Sequence, residues 1–356
     1  MENQNIKILI LRLSALGDTI HTLPLAYALK KTYPDCKIGW VVEDKAKLFI
    51  EGNPLVDDCY VIQKKEWKKR GFFSLKNISE FNDIVQKINA QGYDAVIDTQ
   101  QLWKSASLLP FLSIKRKITL SGGREFSWLF ANEIVPASHD LFDFNYHVVN
   151  RNLELAKYMG ADISELKFML KKSDENIVKK IDMLLQNMDN SRKTVVISPA
   201  TTWENKHWKE KNWSELITFL AGKVNIVITG TKGDLTMIQR ITDMSVTDDY
   251  TVLAGETDLL ELAELFRRSD LVISPDSGSA HIAWAVEHPA VLTLFFSTAE
   301  KRNAPFGKNC YTLSANTDCH PCSKRKCPLK QNKNKCIDSV TFQEVKKFVK
   351  DILQLS

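Results

Sequence analysis

Short apolar runs rich in β-branched residues alternate with helix-length stretches, and this rhythm most limits what the chain can fold into. Ile6–Leu11 reads as a buried strand and Thr22–Thr32 as a helix closed by Tyr33-Pro34. Lys37–Val42 and Ala95–Asp98 read as further strands, with Ile78–Gln91 spaced as an amphipathic helix between them. Strands joined through helices must run parallel and be covered on both faces. A second series follows the polar stretch Lys171–Asn176. Thr194–Ser198, Asn225–Thr229, Leu271–Ser274 and Val291–Phe296 read as its strands, and Leu259–Arg267 and Ser279–Val286 as helices. The expected architecture is α/β, with two Rossmann-like domains, residues 1–170 and 171–356, facing a central cleft.

The 356 residues suffice for two sizeable cores. Hydrophobic residues make up 44% and charged residues 26%, which argues against disorder. A net charge of +5 does not demand nucleic acid, and none is expected as a partner, although clustered lysines suit a phosphorylated or membrane-surface partner. Ile6–Leu11 is too short for a secretory core and Arg12 interrupts it, so the expected location is cytoplasmic. No run approaches the ~18 unbroken apolar residues of a membrane span.

Three strand–loop–helix corners carry the candidate chemistry, because ligands of open α/β sheets bind beyond the carboxyl ends of strands. In the first, Arg12–Asp18, Gly17 allows close backbone approach and Asp18 is either a general base at the cleft mouth or a helix cap. It is not G-x-G-x-x-G, which leaves a dinucleotide reading, and with it an epimerase or dehydrogenase, little support. In the second, Ala200-Thr201-Thr202 precedes Lys206-His207-Trp208, where hydroxyls and an ammonium suit a diphosphate or simply form a turn. The third, Ser274–His281, offers free amides and a helix start to a pyrophosphate.

Four ordered segments resemble the lipopolysaccharide heptosyltransferase family, and most closely its heptosyltransferase I branch: LRLSALGDTIHTLP near the start, YDAVIDTQQLWKSA, ATTWENKHW and DSGSAH. The resemblance implies the GT-B form of the two-domain fold, an acceptor-binding first domain and a nucleotide-sugar-binding second domain. It implies an inverting transfer of heptose from ADP-heptose to Kdo of Kdo-lipid A, at the inner face of the cytoplasmic membrane, with the chain bound peripherally. Asp18 then matches the general base. Thr201, Thr202, Lys206, Asp276, Ser277, Gly278 and His281 match the donor site. Thr257 stands where the family commonly has methionine among the adenosine contacts, near Gly230 and Gly255. Ser14 and Gly17 fall on the acceptor side. So do Lys65, Lys68 and Lys69 of the basic run Lys64–Arg70, which without the family reads as a solvated face. Arg124, Gln100 and Lys104 complete the acceptor set.

No Asp-x-Asp motif stands in a donor-phosphate loop, so catalysis is expected to need no cofactor or obligatory divalent ion. Cys319, Cys322, Cys327 and Cys336 have a C-x2-C-x4-C-x8-C spacing compatible with a structural zinc site or with a reduced surface loop. Similar cysteines occur in the heptosyltransferase II branch. That enzyme, another core transferase of the family, or an inactive nucleotide-sugar or lipopolysaccharide-binding module is the alternative.

Overall fold

The computed structural model describes residues 5–71, 74–287 and 290–355. The chain divides into two compact units, Met1–Lys171 and Lys172–Ser356. In the first unit the strands are β1 (Lys7–Leu11), β2 (Lys37–Glu43), β3 (Asp58–Ile62), β4 (Ala95–Asp98), β5 (Arg116–Leu120) and β6 (Glu133–Val135). In the second they are β7 (Thr194–Ile197), β8 (Asn225–Ile228), β9 (Thr251–Val252), β10 (Leu271–Pro275), β11 (Val291–Phe295) and β12 (Cys310–Ser314).

The first sheet has the order β3-β2-β1-β4-β5-β6 and the second β12-β11-β10-β7-β8-β9, every pairing parallel. Counted from each unit's first strand, both follow the Rossmann order 3-2-1-4-5-6. The order reverses beside the first strand, between β1 and β4 and between β7 and β10. Loops leaving the carboxyl ends of those neighbours diverge to opposite faces and leave a crevice.

Ile8, Leu9, Ile10 and Leu11 of β1 are all fully buried, as expected for a parallel strand covered on both faces. Each such side chain contributes about 1.5–3 kcal/mol on burial. Gly39 in β2 serves packing, since a Cβ there would lie 2.1 Å from the Tyr93 hydroxyl. In the second unit Trp208 and Trp213 meet edge to face at 4.9 Å, and the Trp208 indole N–H donates to the Val340 carbonyl.

The expected helix Thr22–Thr32 is present as Leu23–Thr32, and a separate short helix, Leu16–Ile20, precedes it. Pro24 has no N–H to continue a helix but fits the first turn of a new one. The basic run is itself a helix, Lys64–Arg70, braced by Arg70 and the Trp67 indole on Glu80. Among the described residues no helix is long and apolar enough to cross a membrane.

Candidate active site

The crevice of the first sheet is lined from β1 and β4. Leu11 pairs with Asp98, so the loops starting at Arg12 and Thr99 leave side by side, and the Thr99 N–H donates to the Leu11 carbonyl. Gln100 Oε1 accepts from the backbone N–H groups of Leu13 (2.9 Å) and Ser14 (3.1 Å), which fixes the Ser14–Asp18 loop against the β4 loop. Lys104 Nζ donates to Ser14 Oγ and lies 3.2 Å from Glu43 Oε1. The same buried carboxylate accepts from Lys64 Nζ at 2.9 and 3.1 Å. Ser14, Gln100, Lys104, Glu43 and Lys64 thus form one connected polar network.

Asp18 sits half-buried at the third position of the helix Leu16–Ile20, where its Oδ2 accepts from the Ala15 N–H at 3.1 Å. The local cap holds the carboxylate in place. Behind it lies the buried Arg12, whose Nε donates to Thr22 Oγ1. Burial draws the Arg12 guanidinium below the usual arginine range, and the nearby charges of Asp18 and Asp98 offset part of that. Burial pushes Asp98 up to about 6, against hydrogen bonds from Ser105 and the Gln101 and Gln100 amides and the charge of Arg12.

In the second sheet β7 and β10 play the equivalent parts, with the Ser198 N–H on the Ile273 carbonyl. Asp276, directly after β10, is a buried carboxylate shared among three segments. Its Oδ2 accepts from Lys206 Nζ and from Thr298 Oγ1, both at 2.6 Å, and its Oδ1 lies 3.5 Å from His281 Nε2. Burial alone would raise Asp276, but the His281 hydrogen bond and the charges of Lys206 and His281 hold it far below the carboxylate range. The Asp276 backbone carbonyl accepts from Lys206 Nζ at 3.3 Å and Thr201 Oγ1 at 3.5 Å. Lys206 Nζ also stands 4.6 Å from the centre of the Trp203 ring. An ammonium has three donors, so two bonds to Asp276 leave one for a ligand oxygen.

Ser277 caps the helix Gly278–Ala285 by position, but its hydroxyl pairs with Ser274 Oγ at 2.8 Å. The first helix amides therefore receive no side-chain cap and suit an anion. The Gly255 N–H donates to the Gly230 carbonyl at 2.8 Å. Gly255 has φ +81°, and a Cβ there would lie 2.5 Å from Lys232 Cγ, so glycine is required twice over. Thr257 stands two residues on, beside Asp258, which caps the helix Leu259–Arg267.

A sequence profile described as glycosyltransferase family 9 (heptosyltransferase) matches residues 82–333. The chain belongs to glycosyltransferase family 9. It is 30% identical over 304 residues to the lipopolysaccharide core heptosyltransferase OpsX of Haemophilus influenzae, covering 83% of this chain and 81% of that one. It is 30% identical to lipopolysaccharide heptosyltransferase 1 of Salmonella typhimurium, covering 85% and 92%. The solved structure of the E. coli heptosyltransferase WaaC with ADP superposes with TM-score 0.77 at 25% identity, over 98% of this chain and 100% of that one. The family 9 enzyme is accordingly a glycosyltransferase of the lipopolysaccharide core heptosyltransferase kind, with the GT-B fold.

Within this family 9 chain, the network described above brings together Ser14, Gln100 and Lys104, while Thr201, Lys206, Asp276 and His281 meet in the second unit. Of the basic helix, Lys64 is the lysine joined to the Ser14 network. Lys65 donates its backbone N–H to Asp44, Lys69 pairs with Glu66 at 3.4 Å, and among the described residues Lys68 enters no ion pair. Arg124 is exposed, with its guanidinium 5.9 Å from the Phe142 ring centre. Sequence reasoning missed Arg12, Glu43, Asp98 and Thr298. Three of these stand at or directly after the carboxyl end of an apolar strand, and a charged residue closing such a run is the signal that would have found them.

The seven cysteines are free. Burial pushes the Cys336 thiol up to about 11, and the neighbouring Cys319, Cys322 and Cys327 push the same way. Among the described residues, however, no group of three or more His, Cys, Asp or Glu is placed to hold a metal ion.

Proposed function

We propose that the chain is heptosyltransferase I, transferring L-glycero-D-manno-heptose from ADP-heptose to Kdo of Kdo-lipid A. The observation that carries this reading is Asp18, a positioned carboxylate at the β1–β4 switch point beside a serine–lysine–glutamate network fit for a sugar acid. Asp18 takes the proton from an acceptor hydroxyl as that oxygen bonds to the anomeric carbon of the heptose. The carbon–oxygen bond to the diphosphate breaks on the opposite side, so the configuration inverts and ADP departs. Charge developing on its phosphate is met by the remaining donor of Lys206, by Thr201 and Thr202, and by the amides at Gly278. Asp276 acts through Lys206 and His281 rather than on the phosphates, since a carboxylate would repel them. Thr257 and the Gly230–Gly255 pair are assigned to the adenosine side of the donor, and Ser277 to the donor beside Gly278. Gln100, Lys104, Arg124 and the lysines of Lys64–Arg70 take the anionic acceptor, with Gly17 giving it close backbone approach.

Relatives named heptosyltransferase 1 and heptosyltransferase 3 match at similar identities, 30% and 27%. The acceptor therefore has to be tested directly. Purified protein with ADP-heptose is offered Kdo-lipid A and, separately, heptosyl-Kdo-lipid A. Transfer to the first supports the reading. Transfer only to the second moves the assignment to heptosyltransferase II, which the cysteine tail favours.

A further inference from the structure

The segment after β5 has inverted polarity. Ser127 is buried to 1% exposure, while its neighbours Phe126 and Leu129 stand 67% and 60% exposed. Trp103, directly after the β4 loop, is 53% exposed and packs edge to face on Phe130 at 5.0 Å. Phe142, 66% exposed, joins the patch beneath Arg124. Water alone would select the opposite arrangement, and a contiguous exposed apolar patch marks a contact surface.

The patch is held outward by its backbone. Glu125 and Phe126 both adopt left-handed conformations, φ 56° and 55°, which side-chain-bearing residues rarely do. Glu125 Oε2 accepts from the Trp103 N–H at 2.9 Å, and the Arg124 N–H donates to the Gln101 carbonyl at 3.1 Å. At Gly123 a Cβ would lie 2.5 Å from Ser127 Oγ, so the turn that buries the serine closes tightly against it.

Charge says what covers the patch. Trp103 and the Phe126–Phe130 segment leave the carboxyl ends of β4 and β5, Phe142 follows β6, and the basic helix Lys64–Arg70 leaves the carboxyl end of β3, at the same edge of the sheet. Four strand spacings separate β3 from β5, about 19 Å. One edge therefore presents exposed Lys65, Lys68 and Lys69 at one end and an aromatic ridge with Arg124 at the other. Aromatic rings at headgroup depth flanked by lysine and arginine fit an anionic bilayer.

We infer that the ridge of Trp103, Phe126, Leu129 and Phe142 inserts into the surface of an anionic lipid bilayer, which brings Arg124 and the basic helix to the headgroup layer where the lipid-linked acceptor they bind is embedded. The inference rests on the lipid-linked acceptor of the proposed function.

The test uses the full chain and vesicles of phosphatidylcholine with phosphatidylglycerol, without sugar acceptor. Wild type co-sediments with the vesicles, and Phe126→Ser with Leu129→Ser lowers the partition about tenfold or more, the order expected for withdrawing two large apolar side chains. The doubly substituted protein keeps its circular dichroism and its transfer to a deacylated, water-soluble acceptor. Acyl chains carrying bromine quench wild-type tryptophan fluorescence, and Trp103→Phe lowers that quenching. Failure of wild type to bind vesicles overturns the inference, as does equal binding by the double variant. A ridge-dependent dimer in light scattering without vesicle binding overturns it in favour of a second copy. Vesicle binding without transfer to any core acceptor overturns the proposed function and leaves the ridge standing; transfer without vesicle binding does the reverse.

Discussion

At Asp18 one carboxylate has two duties in the proposed reading: Oδ2 closes the first helical turn on Ala15, and the group is the general base. Asp18→Asn keeps an oxygen for the cap and removes the base. Turnover should fall by about 10²–10⁴ while the dissociation constant for ADP-heptose stays unchanged, measured by steady-state kinetics and calorimetry. At Asp276 the expectation is structural as well. Asp276→Ala leaves the ammonium of Lys206 buried without its carboxylate, and should cost about 3–5 kcal/mol in urea unfolding. The Asp276 carboxylate is depressed, so its stabilisation is present above its unfolded value near 4 and is lost only as pH falls well below that. Asp98 behaves in the opposite sense. Its folded value, about 6, exceeds the unfolded value of about 3.9, so the stabilisation it gives is complete below the unfolded value and is lost as pH rises through about 6. Asp98→Asn should remove that component. The difference between urea midpoints at about pH 4 and about pH 7 then shrinks relative to wild type.

The helix Lys64–Arg70 is an element whose position depends on residues outside it. Arg70 and the Trp67 indole are fastened to Glu80 on the next helix, and Lys64 to Glu43 at the end of β2. Lys65→Ala with Lys68→Ala should raise the acceptor KM and leave kcat nearly unchanged; an unaltered KM returns these lysines to the role of a solvated face. Elements of this sort show where sequence patterns stop. The strands were legible where a continuous apolar run is buried on both faces, as in Ile6–Leu11 and Ala95–Asp98. The edge strands β3, β6, β9 and β12 and the interior strand β5 were not, because they are short or only partly buried and carry a mixed pattern, β5 opening on Arg116 and Lys117. The basic run hid its helix because charge masks apolar periodicity. Asp18, Lys206 and His281 were visible as residue types at strand–helix corners, whereas Glu43 and Thr298 take part through pairings that only the folded sheet creates.

Over the whole molecule, two sheets of identical strand order each place a polar network at their own switch point. The division of labour predicts separable effects. Lys206→Ala should weaken ADP binding and leave the acceptor KM unchanged, whereas Lys104→Ala should do the reverse, both read from initial rates with each substrate varied in turn. Because a lysine and helix amides are assigned to the leaving diphosphate, turnover should survive excess chelator, checked by the same assay before and after EDTA.

The division at Lys171 has a consequence for how such enzymes diversify. Every acceptor-side candidate precedes it and every donor-side candidate follows it. A recombination that joins the first 171 residues of one relative to the remainder of another would carry acceptor choice as a single heritable block. New core sugars could then be attached at new positions by shuffling halves, without rebuilding the grip on the nucleotide.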